Sequence, residues 1–359
     1  MLQNEPMETT FAKVSGLELR VDSCALAPLR AELGQGRTRR CTLVTLSGGG
    51  ESGVGEDVTY DPQEHDALQA AGPPPELTGS FTLGSFCELV ESLDLFPAPP
   101  AADVSRLYRI WAFASAALDL ALRQAGVSLA QALGLSVAPM RYVVSTRLGE
   151  PPTLEPVRLR LELDPALRFK LDATSSWTPE LIAELVATGA VEAVDFKGFY
   201  RGSSVDQPAD PVLYRRVADA LPDAWLEDPD LSEHAAAAAL ADQEHRITWD
   251  APIHSIEDIE ALAHRPAMVN IKPSRVGSLH NLFDLYDHCA RERIGAYGGG
   301  QTEVGPGRGQ AQYLAALFHA DAPNDLAPAA YNLARPPAGL PSSPLVAKLD
   351  APGFRWPEP

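Results

Sequence analysis

The sequence has 359 residues, 45% of them hydrophobic, which is enough for two domains or for one large barrel with additions. Its net charge of −19 argues against a surface that binds nucleic acid or an anionic membrane. No run is long and apolar enough to span a bilayer, and Met1–Lys13 lacks the basic-then-apolar pattern of a signal peptide. We therefore expect a cytoplasmic protein.

The cysteines and histidines give no support for a zinc site. Cys24, Cys41, Cys87 and Cys289 have no CxxC spacing, and the eight histidines form no HxH or HExxH pattern. We expect four free thiols, with a Cys24–Cys41 disulfide as the alternative.

The first part of the chain predicts a small α+β domain. After a loose leader at 1–15, alternating and β-branched runs predict strands at Leu17–Ala27, Arg40–Leu46 and Glu56–Tyr60. Ser47–Gly55 is predicted to be a glycine-rich turn, and the proline-rich segment Asp61–Leu83 a loop or a short irregular helix. Apolar periodicity predicts helices at Leu83–Leu95, Val104–Leu122 and Leu129–Leu133.

From Met140 the pattern changes to strands that alternate with helices. The predicted strands are Tyr142–Leu148, Leu167–Leu171, Val191–Phe196, Ala224–Leu226, Arg246–Trp249, Val269–Ile271, Ile294–Tyr297 and a last piece near Asn324–Ala327. The predicted helices are Pro179–Thr188, Pro211–Ala220, His234–Ala241, Ile256–Ala263, Ser278–Arg291 and Gln310–Phe318. Eight such strands predict an α/β fold, a (β/α)8-type, TIM-like barrel at 138–334. An α+β capping domain at 1–137 precedes it, and 335–359 should pack back over the surface.

Carboxylates close three neighbouring strands of the predicted barrel. Asp195, Glu227 and Asp250 are followed by Lys272, at intervals of 32, 23 and 22 residues that each match one βα unit. The carboxyl ends of parallel strands meet at one mouth, so we expect these side chains to lie together. Three carboxylates suit Mg²⁺, which prefers oxygen ligands. The alternative is that they are turn or helix-cap acids.

Lysine is rare in this chain, because 24 of its 29 cationic residues are arginine. Arg stays protonated, whereas a buried Lys can lose its proton and serve as a base. Lys272 ends one predicted strand, and Lys170 lies on a strand about four positions away around an eight-strand ring. Two amines could thus face one carbon from opposite sides. The alternative for Lys170 is a structural salt bridge.

In their order and spacing, these motifs resemble those of the enolase superfamily, in particular its mandelate racemase and muconate lactonising branch. The resembling segments are Thr42–Glu56 for the capping hairpin, Ala116–Gly134 for the connecting helix, Arg168-Phe-Lys170 for the second strand, Asp195, Glu227-Asp-Pro and Asp250 for the metal ligands, Asn270–Gly277 for the sixth-strand base and Gly299–Gly309, with Glu303, for the seventh-strand loop.

The resemblance implies a Mg²⁺-dependent enzyme that abstracts the proton α to a carboxylate through an enediolate. It would be a dehydratase, a racemase or epimerase, or a cycloisomerase, acting on a small carboxylate-bearing substrate. Lys170 and Lys272 would be the acid/base pair. The candidate substrate-binding residues are Arg168, Asp172, Asn270 and Glu303. The rival function is a non-catalytic binding or scaffold barrel with an altered metal site, and a homo-oligomer stays open for either.

Two departures from the family pattern identify a divergent member. One is Asp172, which stands two residues beyond Lys170, and the other is in the third strand. The third-strand motif usually reads Asp-Ala-Asn, but here it is Asp195-Phe-Lys197, and the face shared by Asp195 and Lys197 adds Lys197 to the candidate catalytic residues. Lys197 would neutralise the carboxylates, replace part of the metal's role or act on substrate. An alternative register makes Leu171-Asp172 the third-strand motif. We disfavour it because too many strands would then precede Lys272.

Overall fold

The structure is a computed structural model that describes residues 8–34, 37–202 and 205–357. Residues 1–7 of the expected leader lie outside the described residues, while its last four residues form the short helix α1 (Ala12–Ser15). No helix within the described ranges is long and apolar enough to cross a bilayer. Cys24, Cys41, Cys87 and Cys289 are free, as expected.

The capping domain contains two small antiparallel sheets. One pairs β1 (Glu18–Val21) with β5 (Gly79–Thr82), and the other is an antiparallel meander of β2 (Ser23–Gly34), β3 (Arg37–Gly48) and β4 (Glu51–Asp57). The single strand predicted at Leu17–Ala27 is wrong. The chain bends at Asp22, whose carboxylate accepts the Gly49 N–H at 3.1 Å, so the residues on either side join different sheets.

The expected turn at Ser47–Gly55 is too long, because the tight turn occupies only Gly49 and Gly50, both at positive φ. Gly53 and Gly55 lie within β4, where the cap sheet packs against a long helix. A Cβ at either position would come within 2.1 Å of a carbonyl oxygen of that helix. These glycines therefore permit close packing of strand on helix, and the sequence pattern alone resembles a turn.

The capping helices mostly follow the predicted periodicity. They are α2 (Pro62–Ala71), α3 (Leu83–Ser92), α4 (Val104–Ala125) and α5 (Leu129–Leu133), with a short 3-10 helix at Pro75–Leu77. The expectation of a loop or irregular helix at Asp61–Leu83 missed α2 and β5. Asp61 caps α2 by accepting the Gln63 N–H at 2.8 Å, and Pro62 occupies its first turn. This start signal outweighs the polar composition of the segment.

Seven parallel strands form the curled sheet of the TIM-like barrel, in the order β12-β11-β10-β9-β8-β7-β6. They are β6 (Val144–Arg147), β7 (Phe169–Asp172), β8 (Val191–Asp195), β9 (Trp225–Glu227), β10 (Ile247–Trp249), β11 (Met268–Ile271) and β12 (Gly295–Gly298). The helices are α6 (Glu155–Leu161), α7 (Pro179–Thr188), α8 (Pro211–Ala220), α9 (His234–Ala239), α10 (Ile256–Glu260), α11 (Pro273–Val276), α12 (Leu279–Glu292) and α13 (Pro306–Phe318), with 3-10 helices at Glu244–Arg246 and Ala329–Asn332.

Asp172, Asp195 and Glu227 lie opposite one another in register on β7, β8 and β9. Because β7 is the second strand of the sheet and β8 the third, the alternative register that made Asp172 the third-strand motif is wrong.

The eighth strand is reduced to two isolated parallel bridges within the described residues, Asn324 to Tyr142 and Asp325 to Gly299. The side chain of Asn324 makes hydrogen bonds in place of the missing strand ladder. Its Oδ1 accepts the Gly298 N–H at 2.7 Å, and its Nδ2 donates to the Arg141 carbonyl at 2.9 Å. One buried amide thus joins the last strand of the sheet to the segment before the first.

The segment after α13 runs back along both domains. Leu345 bridges to Met140, Gly353 bridges to Ser128, and the Phe354 N–H donates to Asp119 of α4 at 2.8 Å. One continuous hydrophobic cluster spans cap and barrel. The expected domain boundary at 137/138 falls between α5 and β6 and stays a prediction.

We predict that His319, beside Asn324, makes the barrel acid-sensitive. Its Nδ1 donates to Asn324 Oδ1 at 2.6 Å, and burial lowers the pKa of His319 from 6.5 to about 4. As pH falls from 6.5 towards 4, the unfolded chain binds a proton that the folded chain refuses, so about 2–3 kcal/mol of stability is lost. Urea unfolding at pH 7.5 and 4.5 measures how much the free energy of unfolding falls between the two pH values. In His319→Gln this fall should be smaller than in wild type by about 2–3 kcal/mol. The exposed control His264→Gln should keep the wild-type loss, and an unchanged loss in His319→Gln would contradict the assignment.

Candidate active site

Three buried carboxylates converge at the carboxyl ends of the central barrel strands. Asp195, Glu227 and Asp228 each offer an oxygen, and these oxygens lie within 4.8 Å of one another. Asp228 takes a left-handed conformation, with φ of 49°, and accepts the backbone N–H groups of Asp250 and Ala251, each at 2.8 Å. Burial, with Asp250 and Asp195 nearby, raises the pKa of Asp228 to about 7. The group has the hard oxygens that a divalent cation such as Mg²⁺ prefers.

Asp250 lies at the same mouth but is engaged by cations. Its Oδ2 accepts Lys272 Nζ at 2.7 Å, and its Oδ1 accepts Arg275 Nη1 at 2.7 Å. Burial would raise the pKa of Asp250, but Arg275 and Lys272 hold it well below the ordinary value. The sequence prediction grouped Asp250 with Asp195 and Glu227, whereas the geometric cluster contains Asp228.

Lys170 is buried within the carboxylates. Its Nζ donates to Glu227 Oε1 and lies 3.3 Å from Asp195 Oδ2 and 3.4 Å from Asp325 Oδ2. Burial alone would lower the pKa of Lys170, but Glu227, Asp195 and Asp325 raise it well above the ordinary lysine value. Lys170 is therefore an ammonium group in this environment.

Lys272 has a different electrostatic setting. Burial lowers the pKa of Lys272, the neighbouring charges of Arg275 and Lys170 lower it further, and Asp250 offsets only part of this. The two lysines are four strands apart in the sheet, on β7 and directly after β11, and their pKa values are displaced in opposite directions. Such a pair suits one proton donor and one proton acceptor.

Lys197 lies directly against the acidic cluster. Its backbone N–H donates to Asp195 Oδ1 at 2.9 Å, and its Nζ donates to Oδ2 of the same carboxylate. The Nζ also lies 3.3 Å from Asp172 Oδ1, and Arg147 Nε donates to the other oxygen of Asp172 at 2.8 Å. The structure thus brings Asp172 and Lys197 to the site. Asp172 comes there as the last residue of β7, whereas Lys197 lies beyond the end of β8 and reaches Asp195 through its left-handed backbone, with φ of 55°, and not through strand alternation.

Asn270 is fully buried on β11, and neither atom of its amide has a hydrogen-bond partner among the described residues. The amide lies beside Gly299, where an added Cβ would come within 2.8 Å of both amide atoms and 2.5 Å of Lys272 Cε. A buried amide without partners is costly unless a water or ligand completes it. Asn270 is therefore available to a bound molecule next to Lys272.

Two candidate substrate-binding residues lie outside the cluster. Arg168 precedes β7 at the amino end of the strand, is exposed, and donates to the carbonyls of Ala166 and Leu167. Glu303 accepts the Gln301 N–H at 2.6 Å and pairs with Arg308 at 3.3 Å. The glycine-rich loop of residues 299–309 holds Glu303 at the boundary with the cap.

Arg39 of the cap hydrogen-bonds the start of this glycine-rich loop. Its guanidinium donates to carbonyls of its own domain and, at 3.2 Å each, to the carbonyls of Gln301 and Thr302. Tyr60 donates to the Gln301 side chain at 2.8 Å, which in turn donates to Tyr108 at 3.3 Å. Cap side chains therefore fix the loop whose first residue, Gly299, lies against Lys272.

Glu56 of the cap accepts hydrogen bonds from the rest of the loop. Its buried carboxylate accepts the N–H groups of Val304 at 2.7 Å and of Gly305 and Gly307 at 3.0 Å, where α13 begins. A carboxylate at a helix N-terminus satisfies donors that otherwise lack partners. Glu56 thus joins cap and barrel at the edge of the site.

Sequence reasoning missed several site residues: Asp228, Arg275, Tyr297 and Asp325. Asp228 and Arg275 stand within the quoted motifs. Tyr297, which donates to Glu227 Oε2, lies on a predicted strand whose end could have been examined like the others. Asp325 lies in the predicted last strand piece. The strand-end rule that selected the charged residues could have found Asp228, Tyr297 and Asp325, whereas Arg275 lies within α11, beyond the end of β11.

The family models match most of the chain. The model described as the domain of unknown function (DUF8230) N-terminal domain matches residues 12–132, and the corresponding C-terminal domain matches residues 136–333. The chain belongs to the DUF8230 family. No curated protein matches the sequence.

Similar solved structures are members of the enolase superfamily. A dipeptide epimerase from Methylococcus capsulatus, complexed with Mg ion, has a TM-score of 0.70 and 18% identity over 95% of this chain and 100% of that one. A superfamily member from Roseovarius nubinhibens, complexed with magnesium, has a TM-score of 0.69 and 20% identity over 94% and 95%. Muconate cycloisomerase from Pseudomonas fluorescens has a TM-score of 0.63 and 17% identity over 94% of this chain and 96% of that one. The resemblance seen in the motifs is confirmed for the fold, an α+β cap on a TIM-like barrel.

We predict that Lys170→Met strongly destabilises the protein when no divalent metal is added. The change leaves Glu227 and Asp195 buried with one cation fewer, and breaking a buried pair this way typically costs about 3–5 kcal/mol. Urea unfolding in EDTA measures it. Lys348→Met, on the exposed C-terminal segment, should stay within about 0.5 kcal/mol of wild type. Equal stability of both variants would show that Lys170 does not compensate the cluster.

Proposed function

We propose that this protein is a Mg²⁺-dependent enzyme of the enolase type, a lyase or isomerase that removes the proton α to a carboxylate. The observation that carries the proposal is the pair Lys170 and Lys272. Both are buried at the barrel mouth on strands four positions apart, with their pKa values displaced in opposite directions around a carboxylate cluster.

The residues at the mouth fit a divalent metal. Asp195, Glu227 and Asp228 offer clustered oxygens, Asp250 lies next to them, and Asp228 has no ion-pair partner within the described ranges. A bound Mg²⁺ would hold the substrate carboxylate and stabilise the negative charge of the enediolate. We assign Asp195, Glu227 and Asp250, as the sequence motifs suggest, with Asp228 as an additional ligand from the geometry.

The two lysines would divide the proton transfer. The Nζ of Lys272, whose pKa burial lowers, would take the α-proton, and the Nζ of Lys170, an ammonium among carboxylates, would deliver or hold the proton on the opposite face. Asn270 would hydrogen-bond the substrate, because its buried amide has no partner among the described residues. Asp172, which lies against Lys197, and Glu303, at the boundary with the cap, stay candidate substrate-binding residues. Arg168, at the amino end of β7, takes no part in this proposal.

We predict that Lys272→Ala folds but no longer exchanges a substrate α-proton with solvent. The base would be missing, while Arg275 still pairs with the buried Asp250 and the cap contacts remain. Wild type and variant are incubated in D₂O with Mg²⁺ and a panel of acid sugars and N-acyl amino acids, and deuterium is followed by NMR.

Lys348→Ala is the control and should exchange like wild type. Exchange by Lys272→Ala at the wild-type rate would remove Lys272 from the mechanism. A wild type that exchanges none of the panel and gains no stability from Mg²⁺ would favour the non-catalytic barrel.

We predict that Glu227→Gln abolishes stabilisation by Mg²⁺. Loss of one charged ligand weakens a site for a hard cation, and a ligand that binds only the folded state raises Tm by an amount that grows with the logarithm of its concentration relative to Kd. Tm is measured with EDTA and with millimolar Mg²⁺. The control Glu233→Gln changes an exposed glutamate at the start of α9 and should respond like wild type. The same Mg²⁺ response in Glu227→Gln would mean that the ligands are wrongly assigned.

A further inference from the structure

Lys197 hydrogen-bonds both oxygens of the Asp195 carboxylate, one through its backbone and one through its side chain. The backbone N–H donates to one oxygen of Asp195 at 2.9 Å, and the side-chain ammonium donates to the other. In making these two hydrogen bonds Lys197 adopts a left-handed backbone, with φ of 55°, a conformation that is uncommon for residues other than Gly, Asn and Asp. The backbone strain thus accompanies a specific result, an ammonium group placed on a metal-ligand oxygen.

The same ammonium already has two further partners. Nζ of Lys197 is 3.3 Å from Asp172 Oδ1 and 5.0 Å from the centre of the Tyr200 ring, whose face attracts cations. Arg147 fixes Asp172 by donating to its other oxygen at 2.8 Å. The ammonium could therefore leave Asp195 without losing all of its partners.

We propose that Lys197 is a tethered cation that competes with the divalent metal for Asp195 and moves onto Asp172 and Tyr200 when the metal binds. The inference rests on the proposed function, since it concerns the same site. Like charges repel strongly at a partly buried site, so an ammonium and a metal cannot share Asp195 at no cost. The tethered cation keeps the carboxylates compensated without metal and makes metal binding weaker and reversible.

The first test compares Mg²⁺ affinity in wild type and Lys197→Asn by calorimetry, with Tm in EDTA and in Mg²⁺ as a second readout. Asn tolerates the left-handed backbone, so the variant removes the charge with little added strain. We expect Mg²⁺ to bind at least tenfold more tightly to Lys197→Asn. Lys348→Asn removes a positive charge from the exposed C-terminal segment and should leave the affinity unchanged. Should Lys197→Asn fail to fold, Lys197→Gln replaces it.

The second test asks whether Asp172 receives the displaced ammonium. Asp172→Asn removes that position, so Lys197 should stay on Asp195 and Mg²⁺ should bind more weakly. In the Lys197→Asn background the same change should have at most a third of that effect. Equal effects of Asp172→Asn in both backgrounds would overturn the movement.

The outcomes separate this inference from the proposed function. Mg²⁺ binding to wild type and Lys197→Asn with equal affinity, or more weakly to the variant, overturns the competition and leaves the metal site standing. No Mg²⁺ binding to any of these proteins overturns both.

Discussion

Compensation of buried charge is the constraint on which this site depends. Asp195, Glu227, Asp228 and Asp250 are fully buried at one end of the barrel, where isolated carboxylates would be unstable. They are tolerated because Lys170, Lys197, Lys272 and Arg275 are buried or half-buried among them and because backbone N–H groups complete Asp228. The same arrangement separates the two lysines electrostatically. The contacts that stabilise the barrel mouth are therefore the same ones that set the charge states of its lysines.

The cap contributes to this mouth through the backbone of the glycine-rich loop. Arg39 holds the carbonyls of the loop, Glu56 holds its N–H groups, and Gly299 at its start lies against Lys272 and Asn270. Glycine is needed at 299 because a side chain there would meet both of those residues. The cap therefore positions this loop through hydrogen bonds to its main chain.

Much of the fold could be predicted from the sequence, because the strands and helices of the barrel have clear periodicity and their strand ends carry unusual residues. Lys170, Asp195, Glu227, Asp250 and Lys272 all came to the mouth for that reason. The assignment of their roles stays a prediction.

What the sequence could not give depends on contacts between distant segments. The eighth strand is reduced to two bridges that the side chain of Asn324 supplements, and the pattern Gly53-Val-Gly55 resembles a turn although its glycines serve helix packing. Arg168 shares the alternating face of Lys170 but lies at the other end of the strand. Periodicity gives the face of a residue and leaves its height in the barrel undetermined.

The position of Glu56 bears on how such proteins can diversify. Its carboxylate closes the amino end of α13, so a helix of the barrel is finished by a residue that precedes the barrel in the chain. A barrel of this kind separated from its cap would expose unpaired N–H groups beside its own candidate active site. Gene fusion or recombination that exchanged the cap alone would have to supply an acid at this place. Cap and barrel are therefore expected to be inherited as one unit.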